Sequence, residues 1–434
     1  MSWSRTQEHH FDLPAEQLWQ IIGDPSRLPC WSPAVSRLPE TVDRNAAERT
    51  ITCRSPLVGG TLLVSWTLSG SGDGTLLTQR VTVQGPYPSL AAGRLARPHV
   101  SGFAENCARL FTQSGGAPNA PKVVIAGGSG FLGRQLAADL ACRGHEVVVL
   151  TRRSDPALSF RQSVWDGRTV GAWASELTGD GTALVNLAGK LVDCPPTQAN
   201  IADLRSSRVD ATRALVEASK GLRAPLARWL QASTTAIFGD AGEARLTEHS
   251  AIPASPREGA LPQMTGVAQP WEAAVEGANA AHVTILRTSI VLEQDCPAFE
   301  RLALLANSGL GGPVGGGEQW FSWIHLADWL RIARGALGIE AGVDLASGVV
   351  CAAAPAPVRN RELMAILRKH LAPGPLKRWP VPTPSPVLRL GAALLRTDPA
   401  LALTGRHVTS VVLEEAGLRF SYPDLDSAVA DITT

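Results

Sequence analysis

Residues 123–126, Val-Val-Ile-Ala, are apolar without a polar position between them, the pattern of a strand buried on both faces of a parallel sheet. Across residues 131–142, Leu132, Leu136, Ala137 and Leu140 recur on one helical face, and Gly144 marks the stop. Residues 146–150 predict a second buried strand. Between the first strand and the helix, Gly127, Gly130 and Gly133 stand at GxxGxxG spacing. Strand, glycine turn, helix and strand thus fall within about 30 residues, one βαβ unit.

The same alternation continues downstream. Strands are predicted at 163–165, 183–187, 229–232 and 282–287, with an amphipathic stretch at 209–219 and further helices between. This order predicts an α/β fold of Rossmann type, a doubly wound parallel sheet that takes ligands at its carboxyl strand ends. Upstream, the order is α+β: a strand at 8–13, a helix at 14–22 opened by Pro14, strand-like runs at 49–53, 61–68 and 76–83, and a helical stretch at 90–111 with a break possible at Pro98. Residues 113–120 show no periodicity and read as a flexible connector. The chain therefore divides into 1–112, 121–371 and 372–434, the last including a proline-rich passage at 373–386 read as an ordered connector.

Composition narrows the class. The 434 residues carry 40 basic against 39 acidic side chains, a net charge of +1 that implies no nucleic-acid partner. No apolar run reaches the roughly 20 residues of a membrane span, and the start of the chain lacks a signal-peptide pattern. Cysteines 30, 53, 107, 142, 194, 296 and 351 are scattered, odd in number and without a CxxC, which predicts reduced thiols in a cytoplasmic protein, no disulfide framework and no metal site.

The glycine turn carries the chemistry. Gly127 permits a tight turn, Gly130 admits a pyrophosphate close to the backbone, and Gly133 lets helix and sheet pack closely. The N–H groups around Ser129, Phe131 and Leu132 face the phosphates. At the end of the second strand an acid would accept from the ribose hydroxyls of NAD, yet the residues are Thr151, Arg152 and Arg153. Two guanidiniums suit a ribose 2′-phosphate, so NADP(H) is expected, with a solvated surface pair as the alternative. Asp166 at the third strand end, Leu187, Ala188 and Gly189 at the fourth and Arg287 at the sixth complete the expected cofactor residues.

The passages AGGSGFLGRQLAADLACRGHEVVVLTRR, VNLAGK, SSRVDATRALVEA, PWEAAV, GLGGPVGGGEQWFSWIHLADWLR, AAAPAPVRN and EEAGLRFSYPDLDSAV resemble an extended short-chain dehydrogenase/reductase. Within that superfamily they are similar to the NAD(P)-dependent, sugar-nucleotide epimerase-like group, also called SulA-like. FDLPAEQLWQIIGDPSRLPCWSPAV resembles the opening of helix-grip domains of the START/polyketide-cyclase (SRPBCC) group. That resemblance implies an N-terminal cavity for an apolar ligand, shallow or open in so short a domain, with Trp19, Trp31 and Trp66 as lining or as plain core.

The superfamily resemblance also implies a Tyr-x-x-x-Lys pair, with a Ser or Thr orienting the substrate oxygen. This chain departs from it. Its two tyrosines, Tyr87 and Tyr422, are followed four residues on by Ala91 and Asp426, and the pair's expected positions hold Met264 and Ala268. Thr234 fits the Ser/Thr position, with Ser233 beside it, unless these hydroxyls merely satisfy backbone. Arg208 stands where the superfamily has a helix asparagine, which suggests an anionic ligand group or a structural ion pair. His325 is a replacement proton donor by side-chain type or a structural histidine. Glu248, Gln319, Ser322 and Asp328 are further polar candidates, and the glycine-rich residues 309–317 suggest a lid over the substrate side. The expected function is that of an NADP(H)-dependent oxidoreductase or epimerase-like enzyme acting on a small carbonyl or hydroxyl compound. The alternatives are a non-catalytic NADP(H) sensor whose N-terminal domain binds an apolar ligand, and a lipid or polyketide carrier centred on that domain.

Overall fold

The computed structural model describes residues 2–35, 41–72, 74–87, 89–156, 158–253, 262–307, 309, 311–345, 347–372, 382–386 and 403–433. Most of the proline-rich passage expected at 373–386 lies outside them. Among the described residues no helix is long and apolar enough to cross a membrane.

Along Gly60–Ser71 and Gly74–Gln84 alternate side chains turn inward, among them Leu62, Val64, Trp66, Leu68, Leu77, Val81 and Val83. These strands centre an antiparallel sheet in the order Ser2–Phe11, Gly74–Gln84, Gly60–Ser71, Thr50–Leu57, Thr41–Asn45. The edge strand Thr41–Asn45 escaped the sequence pattern because it is mostly exposed and polar; it pairs with Thr50–Leu57, and Val42 packs against the core while Arg44 lies 5.1 Å over the Trp19 ring. The single helical stretch expected after the sheet is two helices, Ser89–Val100 and Phe103–Gln113. The break falls at Gly102, which caps the second, while Pro98 stays inside the first. Trp31 and Trp66 are fully buried and meet edge to face at 5.0 Å, and Trp66 Nε1 donates to Gln79 Oε1 at 2.8 Å. These rings fill the core.

The connector is held at both ends. Gln17 Nε2 donates to the Ser114 carbonyl at 2.6 Å, and Asn119 N donates to the Gly144 carbonyl at 2.9 Å. Helix Phe103–Gln113 sends Ala104 and Ala108 into the core that holds Ala137 and Ala138 of helix Phe131–Cys142. Cys142 in turn packs in the N-terminal core. Small residues on both helices permit this approach. Arg5, on the first strand, donates to Glu293 Oε1 at 2.6 Å and to the Asp431 carbonyl. Beside the connector expected at 113–120, the two units thus share packing and a buried ion pair.

The second sheet is parallel throughout, in the order Gly348–Ala352, Val283–Thr288, Arg228–Thr234, Ala183–Asn186, Ala120–Ala126, His145–Thr151, Arg161–Val164. The chain order reverses between Ala120–Ala126 and Ala183–Asn186, which opens a crevice at their carboxyl ends. The edge strand Gly348–Ala352 was not predicted. Asp139 ties two helices on one face, accepting from Arg334 Nη1 at 2.8 Å and from Arg143 Nε at 3.2 Å. A smaller unit beside the sheet shares one core among Leu292, Phe299, Trp323, Leu363, Leu367, Leu425 and Val429. Leu425 and Val429 near the C-terminus share this core, while Val408 packs with Ile237 and Phe238 and Leu413 with the core of the parallel sheet.

His9, on the first strand, faces Phe11 and Phe103 at ring distances of 5.7 and 6.3 Å, beside the Asp139 cluster. Burial pushes its pKa from 6.5 down to about 4, with Asp139 opposing the shift only in part. The unfolded chain then binds the extra proton between those values. Stability should be full above pH 6.5 and fall as pH drops towards 4, by about 3 kcal/mol from this group. Denaturant titrations across that window should show a shallower pH slope for His9→Leu than for the wild type.

Candidate functional site

The crevice begins at the glycine turn. Gly127 has φ +79°, and a Cβ there would lie 2.7 Å from the Leu187 carbonyl carbon. A Cβ on Gly133 would lie 2.5 Å from the Gly128 Cα, so helix Phe131–Cys142 sits directly on the turn. Gly130 caps that helix without a side-chain bond, and the first helical bond runs from Arg134 N to the Gly130 carbonyl at 2.9 Å. The N–H groups of Phe131, Leu132 and Gly133 lie in the turn that an α-helix leaves without partners. Ser129 and Gly130 are exposed in front of them. This cradle fits a pyrophosphate, and any residue larger than glycine at 127 or 133 would close it.

Arg152 and Arg153 are exposed at the end of His145–Thr151, and no ion pair joins either to an acid among the described residues. Thr151 Oγ1 donates to the Arg153 carbonyl at 2.8 Å and fixes this strand end. Asp166 is engaged by its own turn. Its carboxylate accepts from Thr169 Oγ1 at 2.6 Å and from Arg168 N and Thr169 N, and these bonds bring its pKa down to about 2.

Opposite the glycine turn, Leu187 N donates to the Ala126 carbonyl at 2.8 Å. Beneath it Asn186 is fully buried: Nδ2 donates to Thr212 Oγ1 and Gln231 Oε1 at 2.9 and 3.0 Å, and Oδ1 accepts from Ala188 N at 3.1 Å. The run Leu187–Ala188–Gly189 is therefore set by side chains below it as well as by the sheet.

Ser233 and Arg287 are register partners on adjacent strands. Both reach Glu272 at the end of helix Pro262–Ala273. Ser233 Oγ donates to Oε1 at 2.5 Å, while Arg287 donates through Nε to Oε1 at 2.9 Å and through Nη2 to Oε2 at 2.8 Å. Burial opposes the charge on Arg287, yet its bonds to Glu272 raise the guanidinium pKa. Its side chain also lies 5.2 Å over the Phe238 ring. Arg287 was expected beside the cofactor, but its donors are turned to Glu272. Glu272 itself was missed. The signal was present: Met264, Ala268 and Glu272 recur every four residues, so the acid shares the helical face of the missing pair. Thr234, half-buried, accepts from Ala236 N through Oγ1 at 3.2 Å, which leaves its own O–H free to donate.

Arg208 is buried, with its guanidinium carbon 5.1 Å over the Trp271 ring. Burial lowers its pKa to about 10. His325 has a different setting: Nδ1 accepts from Ala327 N at 3.2 Å and caps helix Leu326–Ala336, Nε2 lies 3.3 Å from Asp431 Oδ2, and the ring lies tilted against Tyr422 with centroids 3.9 Å apart. Tyr87 donates to the Val58 carbonyl. Burial and Asp431 raise the Tyr422 phenol well above its ordinary value. Glu248, Ser322, Gln319 and Asp328 are each bonded to backbone groups. The glycine-rich loop is pinned where Val314 N donates to Asn360 Oδ1 at 2.8 Å and Gly315 N to the Thr383 carbonyl at 3.0 Å.

The model of the NAD dependent epimerase/dehydratase family matches residues 123–260, and that of a domain of unknown function matches 383–432. The epimerase family protein MT2273 of Mycobacterium tuberculosis is 30% identical over 315 residues, which cover 72% of this chain and 97% of the relative. The structure of human epimerase family protein SDR39U1 (isoform 2) with NADPH is 27% identical, covers 72% of this chain and 99% of its own, and superposes with a TM-score of 0.59. A nucleoside-diphosphate sugar epimerase from Corynebacterium glutamicum, 24% identical, covers 99% of this chain and 90% of its own with a TM-score of 0.58. That last likeness is one of fold, and it takes in the N-terminal antiparallel sheet. On the glycine cradle, the parallel sheet and these relatives together, the chain belongs to the NAD dependent epimerase/dehydratase family.

Proposed function

We propose that the protein binds NADP(H) across the glycine turn and acts as an oxidoreductase or epimerase-like enzyme on a small carbonyl or hydroxyl compound. The observation that carries this reading is the pair Arg152 and Arg153, exposed without an acidic partner among the described residues where an NAD-specific site would hold a carboxylate. NADPH in the structure of the human relative supports it. Bound there, the nicotinamide supplies hydride chemistry. The N–H groups of Phe131 and Leu132 hold the pyrophosphate, and Leu187, Ala188 and Gly189 offer a low wall towards the reacting end. Thr234 donates its free O–H to the substrate oxygen. Ser233, engaged by Glu272, holds that strand end in place.

In this reading the proton transfer that a tyrosine serves elsewhere in the superfamily falls to another group: Tyr87 donates to the Val58 carbonyl, Tyr422 lies against His325, and neither begins a Tyr-x-x-x-Lys. The buried Met264 and Ala268 favour a second reading, an NADP(H) sensor without turnover. A scan of carbonyl compounds for NADPH oxidation separates the two: turnover with any of them supports the enzyme, and tight binding of NADPH without turnover supports the sensor.

Three outcomes are expected. Equilibrium titration should show NADPH bound more tightly than NADH, with Arg152→Ala erasing much of the difference. One charge-assisted contact is worth about 1.5–3 kcal/mol, roughly tenfold or more in affinity. Steady-state assays should show turnover nearly unchanged in Tyr87→Phe and Tyr422→Phe and reduced about 10²-fold in Thr234→Ala. A collapse in Tyr422→Phe with NADPH binding intact would make that phenol the acid. Glu272→Gln, which leaves Arg287 buried beside a neutral group, should lower stability by about 3 kcal/mol in denaturant titration.

A further inference from the structure

Among the described residues, Arg208 differs from the buried Arg5, Arg287 and Arg334 in one respect. Arg5 is paired with Glu293, Arg287 with Glu272, and Arg334 with Asp139 and Glu340. Arg208, equally buried at 7% exposure, has no carboxylate partner among the described residues. Its Nη1 donates to the Leu204 carbonyl at 3.1 Å and its Nη2 to the Lys190 carbonyl at 3.0 Å. Two neutral acceptors orient the fork without neutralising it, and Nε is buried with no acceptor. Trp271, whose ring lies under the guanidinium, also has a buried Nε1 without one. A charge in this state is strongly unfavourable unless a counter-charge arrives.

Its position says where that counter-charge would belong. A Cβ on the exposed Gly189 would lie 2.9 Å from the Arg208 guanidinium carbon, so the cation sits directly under the loop that faces the glycine turn. On the other side, Trp271 adjoins Glu272, which holds Ser233. Arg208 therefore stands between the cofactor crevice and the strand end that carries Thr234. The ion pair weighed for it from sequence is absent among the described residues, and the anionic ligand remains.

We propose that Arg208 is the anion-recognition residue of the site and that the substrate carries an oxyacid group, carboxylate or phosphate, which its guanidinium receives. This deepens the function proposed above and rests on it for the identity of the site, but its test does not need turnover.

Calorimetric titration of the full-length protein with oxalate and, separately, with inorganic phosphate, in low-chloride buffer, should show saturable binding of one anion per chain for at least one probe. Which probe binds more tightly distinguishes the carboxylate from the phosphate source. Arg208→Gln should weaken that binding at least tenfold while leaving NADPH affinity within threefold of wild type. Arg208→Lys keeps the charge without the fork and should weaken it less. If Arg208→Gln does not fold, the lysine variant and the wild-type titrations carry the test. No saturable binding to the wild type would overturn the proposal, as would equal anion affinity in wild type and variants. So would displacement of the anion by NADPH together with a matching loss of NADPH affinity in Arg208→Gln, since the guanidinium would then serve the cofactor. Failure of the wild type to bind NADPH would defeat the cofactor reading and leave the anion titration of the free protein readable.

Discussion

The arrangement depends on the closeness of two backbones. Where Ala120–Ala126 and Ala183–Asn186 end, Gly127 and Leu187 approach until a Cβ on the glycine would meet the Leu187 carbonyl group at 2.7 Å. The same turn lies against Gly133, where a Cβ would be 2.5 Å from the Gly128 Cα. A helix start, a strand end and a left-handed turn thus share one point, and no side chain can occupy it. The N–H groups of the helix start, the loop over Arg208 and the strand carrying Thr234 all lie about that point.

Around it the interior is organised by paired charges. Glu272 joins two strand ends to one helix through Ser233 and Arg287, Asp139 joins two helices through Arg143 and Arg334, and Glu293 joins the N-terminal strand to the rest through Arg5. A buried ion pair adds little stability over an apolar one, yet breaking it is costly, so each pair favours a single docking geometry. The seam between the N-terminal sheet and the dinucleotide unit shows this: alanines provide the close approach, and Arg5 sets the register.

The elements legible in the sequence were those whose residues announce burial by themselves. Val123–Ala126 and the glycines identified the βαβ unit, and the alternation of Leu62, Val64, Trp66 and Leu68 identified the sheet before it. Thr41–Asn45 was not legible because it is mostly polar and only Val42 turns to the core, so the neighbouring strand largely sets its place. The connector looked loose because its restraints come from Gln17 and Gly144, distant in sequence. In the site, the family pattern pointed to Ser233 and Thr234, but Glu272 and the commitment of Arg287 to it emerge only once strand register and helix face are combined. The bonds of the Asp166 carboxylate to Thr169 and to the Arg168 N–H were likewise not legible, because they depend on the turn that follows the strand.

The most direct measurement is a crystal structure of the protein with NADPH bound. The account predicts the pyrophosphate on the N–H groups of Phe131 and Leu132, the 2′-phosphate within hydrogen-bond distance of Arg152 or Arg153, and the nicotinamide facing Thr234 past Gly189. A 2′-phosphate directed into solvent away from both arginines, or a cofactor lying outside the Gly127–Leu187 crevice, would contradict it.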